Sequence, residues 1–147
     1  MKPKFIRAYM DVARRFSQLS TARRLQVGAI VVKDDRIISI GYNGMPAGWD
    51  NNCEHTIKNP DSTEELKTKP EVLHAEMNAL MKLAKSTESG NGADLFVTHS
   101  PCIECAKGIY QTGIRRVFYS SSYRSDAGIN FLKQSGIDVI HVEDDNT

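Results

Sequence analysis

Apolar residues recur along this chain in two rhythms, and the switches between them predict its elements. Phe5, Tyr9, Val12, Ala13 and Phe16 fall at helical spacing, so the chain opens with an amphipathic helix. Val27 to Val32 is a β-branched run, Asp34-Asp35 offers a turn, and Arg36 to Ile40 supplies a second strand, which together predict a hairpin. The segment Gly41-Tyr-Asn-Gly-Met-Pro-Ala-Gly48 follows, dense in residues that tolerate positive φ and tight turns. From Asp50 to Pro70 the chain is polar and weakly patterned, and Ser62-x-x-Glu65 predicts the cap of one short helix there.

Leu73 to Ala84 returns to helical spacing, with Leu73, Met77, Leu80, Met81 and Ala84 on the expected apolar side. A Gly-rich connection from Ser86 to Ala93 leads into a strand at Leu95 to Thr98. Pro101 suits a helix start and Gly113 a helix stop, which frames a helix ending near Thr112. A strand at Val117 to Tyr119, a helix near Ala127 to Gln134 and a strand at Val139 to Val142 complete the series. This alternation predicts an α/β fold whose later strands run parallel, joined by right-handed crossovers. No repeat or boundary interrupts residues 1–147, so one domain is expected, with Glu143 to Thr147 frayed.

Composition narrows the class of protein. The chain has 147 residues, 40% of them hydrophobic, which suffices for one core. Its 19 basic and 18 acidic side chains leave a net charge of +1, so no strong field points to nucleic acid or to a membrane surface. No apolar run reaches bilayer length, and Met1-Lys-Pro-Lys-Phe5 has no signal core, so a cytoplasmic protein is expected (host cytoplasm if viral). Of three cysteines, two form a C-x-x-C pair, which reads as metal or redox chemistry in a reducing compartment.

Candidate chemistry sits in two segments, His74-Ala-Glu76 and Pro101-Cys102-Ile-Glu-Cys105. They offer one imidazole and two thiols as zinc donors, and Glu76 as a carboxylate that need not bind. A structural zinc site closes with four protein ligands, whereas a catalytic one takes three and keeps a place for water. Cys102 and Cys105 lie three apart in a first helical turn and face one way. A C-x-x-C alone also serves redox pairs and zinc ribbons, but neither needs the H-x-E, and a ribbon needs a second C-x-x-C. Cys53-Glu54-His55 lacks partners for a second metal and reads as ordinary loop. His99, close to the thiols in sequence, reads as structural or substrate-proximal.

The order H-x-E then P-C-x-x-C is the signature of zinc nucleobase deaminases. The resemblance spreads further, from about residue 5 to residue 142. Val27-Gly-Ala29, the Gly41–Gly48 segment, His74-Ala-Glu-Met-Asn-Ala79, Ser100-Pro-Cys-Ile-Glu-Cys-Ala-Lys107 and Gly113-Ile114 are similar to deoxycytidylate (dCMP) deaminases, among them the compact bacterial or viral ones. The Gly41–Gly48 segment separates that group from free-nucleoside and transfer-RNA deaminases.

This resemblance implies a cytidine-deaminase-like three-layer α/β/α fold, with a mixed sheet of about five strands and helices on both faces. It implies hydrolysis of dCMP to dUMP and ammonia, feeding thymidylate synthesis, with catalytic zinc on His74, Cys102 and Cys105 and Glu76 as proton shuttle. Asn43, Ala75, Ser100 and Tyr123 are the expected substrate contacts, and Arg124 or Lys107 the phosphate charge. It further implies a homohexamer activated by dCTP and inhibited by dTTP, with magnesium on the triphosphate. That effector site would draw on Gly41, Asn43, Gly44, Arg23 and Arg24. Two alternatives stay open: a zinc deaminase of cytosine, cytidine, guanine or transfer-RNA adenosine, and a non-catalytic zinc module.

Overall fold

A computed structural model gives the fold and describes residues 1–122 and 124–143. Tyr123 and residues 144–147, most of the expected frayed end, lie outside the described residues. The opening helix, α1, spans Pro3–Ser17. Its buried face is Met10 and Ala13, flanked by Ile6, Tyr9 and Val12, while Phe5 is exposed. The hairpin follows as β1 (Gly28–Lys33) and β2 (Arg36–Tyr42), paired antiparallel. Asp34 and Asp35 both adopt positive φ, 51° and 57°, the backbone of a two-residue turn that matches strand twist.

The polar stretch corrects the short helix expected around Ser62. It forms a second hairpin, β3 (Glu54–Lys58) and β4 (Glu64–Thr68), with Glu65 opposite Ile57. Ser62 sits at φ 70° in the connecting turn, where no helix can start. Asn59 N–H donates to Thr63 O at 2.9 Å, and the Thr63 hydroxyl to Asp61 at 2.6 Å. The segment has no apolar stripe at 3.6-residue spacing for a helix to bury, so turn chemistry and alternation prevail.

Next come α2 (Ala75–Ala84), β5 (Asp94–His99), α3 (Ile103–Thr112), β6 (Arg116–Ser121), α4 (Ala127–Gln134) and β7 (Asp138–His141). The main sheet runs β2-β1-β5-β6-β7. β1 is antiparallel to β2 and β5, while β5, β6 and β7 are mutually parallel, so the sheet is mixed as expected. Its central strands β1 and β5 are buried on both faces and therefore read as nearly continuous apolar runs. Ile30, Val32, Phe96 and Phe118 face α1, where the two rings stack at 4.4 Å. Ala29, Val31, Leu95, Val97 and Val117 face the opposite layer, built from α2, α3 and α4. This is the expected three-layer α/β/α arrangement.

One helix face differs from its sequence pattern. In α2 the buried residues are Ala75, Glu76, Ala79, Leu80 and Leu83, whereas Met81, at 52% exposure, and Ala84 face outward. Leu73 precedes the helix and is also exposed. Small residues face the sheet because α2 lies close to β2. Gly41 shows how close: a Cβ there would collide with Ala75 O and Ala79 N.

Candidate active site

Two helix starts carry the chemistry. His74 is the N-cap of α2 and Cys102 the N-cap of α3, so both helices open at the same place beside the C-terminal end of β5. Cys102 Sγ accepts from the Cys105 backbone N–H at 3.5 Å, a capping bond that fixes the loop. The convergence is tight. His74 Nδ1 stands 3.6 Å from Cys102 Sγ and 3.3 Å from Cys105 Sγ, and the three donor atoms lie within 4.8 Å of one another.

These separations fit zinc. A tetrahedral ion with bonds of about 2.3 Å to sulfur and about 2.0 Å to nitrogen spaces those donors about 3.5 Å apart. Left to themselves, the donors share protons. The Cys105 thiol and then His74 hold Cys102 down to about 3, while Cys102, burial and Glu76 push Cys105 up. The hydrogen bond to Cys102 likewise raises His74 against the opposing effect of burial. A divalent cation replaces such shared protons with its own charge. Among the described residues this is the one cluster of three or more potential ligands. Cys53 is buried beside the Thr21 hydroxyl and His55 is exposed on β3, so the pair joins no such cluster.

Glu76 lies in the first turn of α2 and is 4% exposed. Burial raises its carboxyl above the ordinary range, opposed by its own backbone N–H and by His74. A carboxyl so placed is suited to taking and returning a proton.

A cavity of about 410 Å³ opens over this corner, of a size that suits a small ligand. Its walls include His74, Ala75, Glu76, His99, Ser100 and Cys102, and also Arg24, Asn43, Glu54, Thr68 and Arg124. The sequence-predicted residues sort by this cavity. Ala75, Ser100, Asn43 and His99 line it. Lys107 does not: it lies on exposed α3 in an ion pair with Glu104 at 3.0 Å. Tyr123 lies outside the described residues.

Asn43 is held by backbone. Its Oδ1 accepts from Val27 N–H at 2.9 Å and its Nδ2 donates to Leu25 O at 2.8 Å. The N–H groups of Asn43 and Gly44 donate to Val27 O and Leu73 O. Gly41 is spent on the approach of α2. Arg24 lines this cavity, with its Nη1 on the Thr68 hydroxyl at 3.1 Å. Arg23 points to the second hairpin, 3.5 Å from Glu54 and 3.2 Å from Asn52.

Sequence reasoning missed two contributors. Glu54, read as loop, is a buried wall of the cavity. Gly128, in the first turn of α4, packs so closely on the start of α3 that a Cβ would collide with Pro101 O and come within 2.9 Å of Cys102. Neither left a local signal, because each acts on residues distant in sequence.

Three metal donors beside a buried acid, at paired helix starts on a three-layer α/β/α frame, define a metal-dependent hydrolase. The family model for the cytidine and deoxycytidylate deaminase zinc-binding region matches residues 3–121, and the chain belongs to that family. Deoxycytidylate deaminase of Enterobacteria phage T4 is 31% identical over 172 residues, spanning 93% of this chain and 89% of its own. ComE operon protein 2 of Bacillus subtilis is 38% identical over 147 residues, covering 92% of this chain and 69% of its own. The crystal structure of the cyanophage S-TIM5 dCMP deaminase in complex with dCMP and dUMP superposes with a TM-score of 0.86. It shares 48% identity across 97% of this chain and 99% of that one.

Proposed function

We propose that this chain hydrolyses dCMP to dUMP and ammonia. The observation that carries the reading is one cavity lined by two unlike sets of side chains. One set is His74, Cys102 and Glu76, and the other is the cationic Arg24 and Arg124. A nucleoside monophosphate has the same division, with a reactive base and a dianionic phosphate. The likeness to the cyanophage enzyme supports the choice of dCMP within that class.

In this reading His74, Cys102 and Cys105 hold zinc. When bound, the ion supplies Lewis acidity that brings the pKa of a water toward neutrality. Glu76 takes the water's proton and passes it to ring N3 as oxygen adds to C4. It then carries the second proton to the 4-amino group as the C4–N bond breaks and ammonia leaves. Buried Ala75 and Ser100 wall the base, and their backbone and hydroxyl groups orient it. Arg24 and Arg124 offset the phosphate charge.

Family membership supports a further expectation: a homohexamer in the cytoplasm, activated by dCTP and inhibited by dTTP, with magnesium on the triphosphate. A dCMP saturation curve that dCTP and dTTP leave unmoved would remove it.

Comparing ammonia release from dCMP and from deoxycytidine tests the substrate. The proposal expects a large preference for dCMP, lost when Arg24 is replaced. Equal turnover of the two would point to a nucleoside deaminase.

A further inference from the structure

Glu54 opens β3, yet its side chain is 2% exposed and lines the cavity. Its two oxygens are treated differently. Oε2 accepts from the backbone N–H groups of Arg23 at 2.9 Å and Arg24 at 3.1 Å. Oε1 has no hydrogen-bond partner, the one such buried side-chain atom among the described residues. The Arg23 Nε stands 3.5 Å from it, an ion-pair separation that leaves a hydrogen-bonding position open. Burial works against the charge, but the two N–H groups and Arg23 outweigh it and hold the carboxyl below its ordinary range, so it is ionised near neutrality. A buried, charged, acceptor-only oxygen without a donor is costly, and native structures rarely keep one without a use.

What donor completes it follows from the substrate's chemistry, and so this inference rests on the reading of dCMP as substrate. The phosphate, carbonyl O2 and ring N3 of dCMP all accept. Its donors are the 4-amino group and the 3′-hydroxyl. The amino group is the leaving group and belongs beside Glu76. The hydroxyl remains.

We propose that Glu54 Oε1 accepts the hydrogen bond of the deoxyribose 3′-hydroxyl, which makes Glu54 a specificity-determining residue for nucleotides with a free 3′ end. The same carboxylate, through Oε2, holds the backbone of Arg24, which also lines the cavity. Sugar and phosphate recognition are therefore tied to one buried group. A nucleotide lacking the hydroxyl leaves Oε1 unpaired under the bound sugar, and a 3′-phosphate meets it with like charge.

The test compares zinc-loaded wild-type and Glu54→Gln proteins on dCMP and on 2′,3′-dideoxy-CMP. The wild type is expected to favour dCMP in kcat/KM by on the order of 10- to 100-fold, the worth of a hydrogen bond to a charged group. In Glu54→Gln, dCMP turnover falls and the preference shrinks to within about threefold, because a neutral amide no longer demands a donor. Wild type that turns over both nucleotides equally overturns the proposal and leaves the deaminase reading standing, with no variant needed. A variant that loses both substrates in equal proportion assigns Glu54 to holding Arg23 and Arg24 alone and also overturns it. If wild type neither binds nor deaminates dCMP, the deaminase reading fails and this assignment falls with it.

Discussion

Two groups of segments that line the cavity are built by different physics. The metal corner is carried by α2 and α3, whose buried faces pack on the sheet through Ala79, Leu80, Leu83, Ala106 and Ile109. The rim, formed by Ala22, Arg24 and Leu25 with Glu54 of β3 and Thr68 of β4, is held by polar contacts. Ser20 donates to Asn43 O, Arg24 to Thr68, and Lys69 N–H to Cys53 O. Apolar burial makes the first group stiff, as placing reacting groups to a fraction of an ångström requires. The rim has few apolar contacts of its own, so its substitutions should change which ligand binds more than whether the fold survives.

Four measurements would break or sharpen that contrast. The largest effect belongs to the corner: Glu76→Gln should lower kcat by about 10²–10⁴-fold, the usual weight of general acid–base help, with zinc content unchanged by metal analysis. Full activity in the zinc-loaded variant would end the mechanism. Gly128→Ala comes next. Its new Cβ must displace the start of α3, so stability should fall by about 1–3 kcal/mol in denaturant melts. Zinc should also leave faster to a chelator, because Cys102 sits on the displaced backbone.

Rim changes should read differently. Arg24→Ala is expected to raise KM for dCMP by about tenfold, as for one lost hydrogen bond to a charged group, while melting is little changed. A kcat loss larger than the KM change would place Arg24 with the reacting groups instead. Glu54 links the rim to pH. Its carboxyl is held below the ordinary value of 4.5, so the stability it adds is present above 4.5 and is lost as pH falls through the folded-state value. The stability gap between wild type and Glu54→Gln should therefore narrow in acid, seen in melts across a pH series.

The legible part of this molecule is the part whose physics is local. Hydrophobic rhythm announced α1, the first hairpin and the alternation of strands and helices after Pro70, because each buries one face against a sheet. The metal donors were legible for a related reason: Cys102 and Cys105 share one helical turn, and His74 and Glu76 share another. The second hairpin was missed because its determinants are turn residues and cross-strand pairs, with no buried stripe to set a period. The outward turn of Met81 was missed because Gly41, far off in sequence, lets α2 lie close enough to need small residues. By itself the sequence determined which residues could hold a metal and move a proton, since donor chemistry and short spacing are written in the chain. Only the tertiary structure decided that Arg24 lines the cavity, that Asn43 is spent on backbone, and that Glu54 keeps one oxygen open, because each depends on contacts between segments that meet only once the sheet is assembled.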